Sequence, residues 1–246
     1  AIIRKPSSEI DRLLRPRDEL MLFGLDADRA SQLSSLVNEL DRQKTDYQAS
    51  QTASVLGFSR HTGRFPLAKN VRLLDFIKVA GGLKAGIDTS YAVIASQSGL
   101  DGYIAMRSIN LGAAIADRSS DQNPIIKAGD KLYLFDKYLD RSALMQNDLD
   151  KVKNQTTYTA DEQLVQLNGL VAHPGTYPLD RAMHASDLVC AGGGLRESAF
   201  GLEAELSRYS VIDGEQRSLE HIRLSASSLA RICEQKRRHG KGLQKK

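Results

Sequence analysis

The run Ala191-Gly192-Gly193-Gly194-Leu195-Arg196 is the feature that most invites a chemical reading, because consecutive glycines can bring backbone N–H groups around a phosphate. The run lacks the Gly-Lys-Ser/Thr ending of a P-loop and the G-x-G-x-x-G spacing of a dinucleotide site. It also follows an expected helix, whereas an anion cradle needs the free N–H groups of a helix start. Helix termination is the better account. The five histidines, His61, His173, His184, His221 and His239, stand singly, with no i, i+4 pair and no Cys or Glu at ligand spacing. Ser186 and Asp187 are adjacent, but they fall at an expected helix start, where both residue types serve as caps. Asp75 holds the place equivalent to Asp187, and a first-turn carboxylate is explained by the helix dipole. Cys190 and Cys233 form no Cys-x-x-Cys motif. They read as one buried inert thiol and one thiol in a tail, which leaves the redox compartment open. No catalytic constellation emerges, so a non-enzymatic protein without cofactor or metal is expected. Phe65, His173 and Tyr177 remain as candidates for contact with a glycan or a partner, with a core role as the competing reading for the two rings.

The elements that would position these residues occur twice. Leu167-Asn168-Gly169-Leu170-Val171-Ala172-His173-Pro174-Gly175-Thr176-Tyr177-Pro178-Leu179 is followed by Ser186-Asp187-Leu188-Val189 and Ala191-Gly192-Gly193-Gly194-Leu195. Gly57, Gly63, Phe65-Pro66-Leu67, Asp75 and Gly81-Gly82-Leu83 hold the same places 112 residues earlier, the difference between Gly175 and Gly63. The same offset carries Asp18-Glu19-Leu20-Met21-Leu22-Phe23 onto Asp130-Lys131-Leu132-Tyr133-Leu134-Phe135. So long a displacement is a duplicated domain rather than a solenoid repeat of roughly 20–50 residues.

Each copy reads as a hairpin, a helix ending in glycine, and further strands: a small mixed sheet gripping one helix, in the α+β class. The helices span about 71–79 and 182–191, with Gly82 and Gly194 expected at positive φ. Between copies run polar helices. Leu33, Leu36, Val37 and Leu40 form one apolar stripe behind Asp26 and Asp28 as candidate caps, and Met145, Leu149 and Val152 form another, with Arg141 matching Arg29. Such helices fix the spacing of the units, which a Gly/Ser linker would not. The expected organisation is a truncated closing strand (1–24), a linking helix (25–51), a first module (52–136), a second linking helix (137–162), a second and C-terminally incomplete module (163–230) and a disordered basic tail (231–246). The chain opens without Met, partway through a unit, and reads as an excised segment.

The composition is that of a soluble protein, and no apolar stretch is long enough to span a bilayer. Residues 231–246 hold seven Lys/Arg and one Glu, which leaves 27 basic against 29 acidic residues elsewhere. The net charge of +4 therefore belongs to the tail, which also lacks aromatic residues for base stacking, so no nucleic-acid partner is expected. Deleting the tail is expected to leave the melting temperature unchanged.

The run Gly169-Leu170-Val171-x-x-Pro174-Gly175-x-Tyr177-Pro178-Leu179, with Asp187-Leu188, Ala191 to Leu195 and the closing Gly129 to Phe135, resembles the soluble-ligand-binding β-grasp (SLBB) module. The variety found in outer-membrane polysaccharide export proteins is the most similar. The first copy departs from that pattern, with Thr62 in place of Pro174 and Arg60-His61 filling the turn. The resemblance implies tandem β-grasp modules in the periplasmic part of a capsule or exopolysaccharide exporter. It further implies self-association in the full-length parent, other export components as partners, and polysaccharide as a possible ligand. A monomeric module binding a saccharide or cofactor is the alternative. The segment alone is expected to be monomeric or weakly self-associating, with contacts below the roughly 1,000 Å² of a stable interface.

If Gly82 and Gly194 end their helices at positive φ, replacing either with Val destabilises its unit by more than the ~1 kcal/mol of a propensity change, without removing a discrete activity. Thermal denaturation of the two variants measures this.

Overall fold

The computed structural model describes residues 13–16, 20–24, 27–45, 49–98, 102–157, 162–212 and 216–241. The chain is α+β. It begins with two short helices, α1 (Arg29–Gln32) and α2 (Ser34–Arg42). Asp28 caps α1 by accepting from the N–H groups of Ala30 and Ser31; Asp26, the other candidate cap, lies outside the described residues. Of the expected stripe, Leu33 and Val37 are buried, Leu40 is half-buried and Leu36 is exposed.

Next come β1 (Thr52–Gly57), β2 (Gly63–Pro66), α3 (Leu73–Val79), β3 (Ala92–Ser98), β4 (Tyr103–Ile109), α4 (Leu111–Ala116) and β5 (Lys131–Leu134). The strands form one mixed sheet in the order β2-β1-β5-β3-β4. β5 is central, parallel to β1 and antiparallel to β3. The α1–α2 pair lies against β2, where Arg64 donates two hydrogen bonds to Asp41 at 2.5 and 2.6 Å. That pairing holds the Asp41 carboxyl down at about 2.

Period-two alternation along the closing strand gives the sheet two buried faces. Leu132 and Leu134 join Val55, Phe65, Leu73, Phe76 and Ile77 in one core, which holds α3. Tyr133 and Phe135 face the other side and join a second core with Tyr91, Val93, Met145, Leu149, Val152 and Tyr177. Met145, Leu149 and Val152 come from α5 (Arg141–Asn154), capped by Asp140, so the second linking helix is buried along its apolar stripe. Its Asp148, fully buried, accepts from Lys131 Nζ at 2.7 and 2.9 Å and from the Tyr133 hydroxyl at 2.7 Å.

The second unit contains β6 (Leu164–Leu167), β7 (Gly175–Pro178), α6 (Ala185–Ala191), β8 (Ala204–Ile212), β9 (Gln216–Leu224) and α7 (Ala226–Lys241). β7 and α6 begin and end 112 residues after β2 and α3. Pro178 lies on β7, which pairs with β6 alone, so its missing N–H costs no ladder bond. Gly82 and Gly194 have φ of +86° and +91°, as expected of helix stops.

Four sequence expectations are corrected. Residues 231–241, expected to be disordered, belong to α7, whose Ala226, Leu229, Ala230 and Cys233 fall at i, i+3, i+4 and i+7 and turn inward. The density of Lys and Arg on the other face concealed that stripe. Cys190 and Cys233 are not separate thiols: with Cα atoms 5.3 Å apart they form a disulfide joining α6 to α7. The N-cap of α6 is His184, whose N–H donates to Asp187 at 3.0 Å, so Ser186 is not a cap but a buried first-turn residue. Finally, Leu111 does not end a strand but starts α4, with Asn110 as its cap accepting from Ala113 N–H.

The disulfide closes a sequence separation of 43, for which chain-entropy arguments give roughly 3–4 kcal/mol. Cys233→Ser, or deletion of residues 231–246, is therefore expected to lower the melting temperature. A calorimetric scan with and without reductant measures the effect.

Candidate functional site

The polar residues of the chain converge at the seam between the two units, around Arg141 at the start of α5. Its side chain is 1% exposed. One guanidinium nitrogen donates to the Ala191 carbonyl at the C-terminus of α6, and the other to Asp88 of the first unit, both at 2.5 Å. The guanidinium carbon lies 5.5 Å from the ring centroids of both Tyr91 and Phe135, which are themselves stacked at 5.6 Å. A buried cation survives only with this kind of compensation: a carboxylate, a helix C-terminus and aromatic faces. Burial pushes the Asp88 carboxyl up, but the charge of Arg141 and hydrogen bonds from Ser90 outweigh it and leave that carboxyl below its ordinary value.

The offset of 112 exposes the same device at the first unit. Arg29, equivalent to Arg141, donates to the carbonyls of Lys78 and Val79 at the end of α3, at 3.3 and 3.4 Å, and sits 5.0 Å over the ring of Phe23, equivalent to Phe135. In both copies a linker arginine closes the C-terminus of the following unit's helix.

Beside Arg141 lies a cleft of about 400 Å³ lined by Asp88, Thr89, Ser90, Lys137, Arg141 and His173, among others. Burial, and then the charge of Arg141, hold the His173 imidazole below its ordinary pKa. A second cleft, of about 330 Å³, presents Tyr91, Ser108, Asn110, Asp180 and Lys236. Asp180 accepts from the backbone N–H of Ser108, which ties the second unit to strand β4.

The three candidate contact residues separate. Phe65 and Tyr177 are wholly buried, one in each core, so neither ring offers a face to a glycan or a partner; the competing core reading holds for both. Tyr177 also donates from its hydroxyl to the His173 carbonyl at 2.6 Å, and burial pushes its phenol up to about 12. His173 alone borders a cleft.

The glycine run is closed to anions. The N–H groups of Gly192, Gly193 and Gly194 donate to the carbonyls of Leu188, Cys190 and Val189 at 2.9–3.0 Å, so none is free. The carbonyls of Gly192 and Gly194 accept from His173 and Ala172 of the hairpin. Asp75 pairs with Lys78 and Arg118, and Asp187 with Lys236. Among the described residues no three His, Cys, Asp or Glu side chains are grouped to hold a metal ion, and no helix is long and apolar enough to cross a membrane. Sequence reasoning paired Arg141 with Arg29 but missed Asp88, because nothing in the spacing links residues 88 and 141. No family model matches this chain, and no curated protein matches it.

Arg141→Ala leaves Asp88 buried without its partner, and a loss of roughly 3–5 kcal/mol is expected, measured by urea denaturation. The seam is also acid-sensitive. Because the folded state disfavours imidazolium at His173, its contribution is complete above the ordinary imidazole pKa of about 6.5 and declines as the pH falls below it. The Asp88 contribution is lost only further down, as the pH falls through its lowered value. Stability measured between pH 7 and pH 5 should therefore fall in the native chain and change less in His173→Asn.

Proposed function

We propose that this chain is a non-enzymatic, periplasmic segment of a polysaccharide export protein of capsule or exopolysaccharide. In this reading tandem β-grasp (SLBB-like) modules hold a fixed spacing for assembly of an outer-membrane-associated parent and for contact with other export components or the glycan. The observation that carries the reading is the repeated joint: Arg29 and Arg141, 112 residues apart, each lock a linker helix onto the helix of the next unit. A protein that only had to tether two domains would not bury an arginine between them. The disulfide between Cys190 and Cys233 suits an oxidising compartment. The sequence resemblance supplies the export role.

A second reading, a monomeric module that binds a saccharide or cofactor, draws on the polar cleft beside Lys137, Arg141 and His173. Light scattering across rising concentration, paired with a glycan array, separates the two. The assembly reading expects the apparent mass to climb above 27.1 kDa, with no saturable binding at the cleft. A constant monomer mass, with glycan binding that Lys137→Ala abolishes, would replace it with the second reading.

A further inference from the structure

The second unit has the outer strands of the first unit's sheet without the central one. In the first unit β5 lies between β1 and β3, pairing Val55 with Leu132 and Gly57 with Leu134 on one side, and Ala92 with Leu134 on the other. In the second unit, among the described residues, β6 pairs only with β7 and β8 only with β9. The offset places the equivalent of β5 at 243–246, which lies outside the described residues; there the sequence reads Leu-Gln-Lys-Lys and has no alternating apolar residues. The gap registers at one backbone position. A methyl group on Gly57 would strike the carbonyl oxygen of Leu134, but at the equivalent Gly169 nothing lies within 4 Å. The surrounding core is correspondingly open: Leu179 is 39% exposed, against 8% for its equivalent Leu67.

Near the other end of the chain lies the complementary piece. Leu20-Met21-Leu22-Phe23 matches Leu132-Tyr133-Leu134-Phe135 at three of four positions. Met21 and Phe23 pack against the first core, as Tyr133 and Phe135 pack against the second. Leu20 and Leu22 are 77% and 84% exposed, whereas Leu132 and Leu134 are 1% and 0%. The segment is a closing strand with its sheet-facing leucines bare.

We propose that the segment Leu20–Phe23 of one copy of this chain inserts into the second unit of another copy, beside β6 and parallel to it. The register set by β1 and β5 places Leu20 opposite Leu167 and Leu22 opposite Gly169. Exchange within one chain is excluded by the repeat: the donor is held on the first unit by Met21 and Phe23, and the acceptor lies on the second unit's sheet. The contact is therefore head-to-tail and heterologous, the type that builds rings or open chains. A four-residue strand covers far less than the roughly 1,000 Å² of a stable interface, so association is weak and depends on concentration. This inference rests on the internal repeat alone and not on the export reading.

Full-length Leu20→Cys and Leu167→Cys chains, mixed and oxidised gently, test it on a non-reducing gel. Both positions lie outside the tightly packed cores, so both variants should fold. The expected result is a mixed disulfide-linked dimer that increases with concentration and exceeds that of a Leu36→Cys plus Leu167→Cys control. Adding Leu22→Asp to the donor should reduce it to the control level. A yield equal to the control, or one unaffected by Leu22→Asp, overturns the proposal. So does a double Leu20→Cys, Leu167→Cys chain that closes on itself as a monomer.

Discussion

The arrangement of the two units depends on a guanidinium taken out of water. Arg141 cannot be buried for its own sake, since an ion moved into a protein interior loses several kcal/mol of hydration. It stays because three parts of the chain supply what water did: the Asp88 carboxylate, the carbonyl end of α6 and the faces of Tyr91 and Phe135. Asp88, Tyr91 and Phe135 belong to the first unit, Ala191 to the second, and Arg141 to the helix between them. Shifting either unit would strand a charge, so the interaction fixes geometry more than it adds net stability. The exposed version at Arg29 has only helix carbonyls and a single ring, Phe23, and its bonds are longer, at 3.3 and 3.4 Å.

The closing strand is the second constraint. Because successive side chains of β5 point to opposite faces, four residues serve two cores: Leu132 and Leu134 complete the first, while Tyr133 and Phe135 found the second. A helix laid on that second face must present an apolar stripe, and Met145, Leu149 and Val152 do so. It must also accommodate the polar atoms it covers. Asp148 does this by accepting from both Lys131 and the Tyr133 hydroxyl. At the sheet's edge, Gln155 of the same segment both donates to and accepts from the backbone of Ile104 on β4, covering a strand that would otherwise be open.

Much of this was legible in the sequence, for identifiable reasons. The 112-residue offset predicted that β7 and α6 would repeat β2 and α3, and the glycine stops fell where positive φ was required. The stripe of α2 was readable because its apolar residues stand out against charged neighbours. By the same logic α7 was misread: its inward residues include Ala226, Ala230 and Cys233, which are small, while its charges are conspicuous. The Asp88–Arg141 pair left no local signal, since long-range ion pairs are set by how elements pack and not by spacing. Phe65 and Tyr177 were visible as equivalent aromatics, but equivalence could not say which way the rings point. Their burial follows from alternation along β2 and β7, where one residue in two faces the core.

A string of units that share closing strands has an inherent problem at its ends, since any terminal unit exposes a face made to be covered. Repeat proteins meet it with terminal elements that are apolar within and polar without. α7 has that character in the second unit: Ala226 and Cys233 are buried, Arg231 and Glu234 face solvent, and the disulfide to Cys190 pins the helix against α6. It also packs on α4 of the first unit, so it spans the seam as well as covering an end. Yet a helix cannot supply the backbone hydrogen bonds that a β-strand edge requires. α7 can shield the side chains of α6 while leaving the edge of β6 unpaired. Apolar burial and backbone pairing are separate requirements, and in this unit only the first is met by the chain's own described residues.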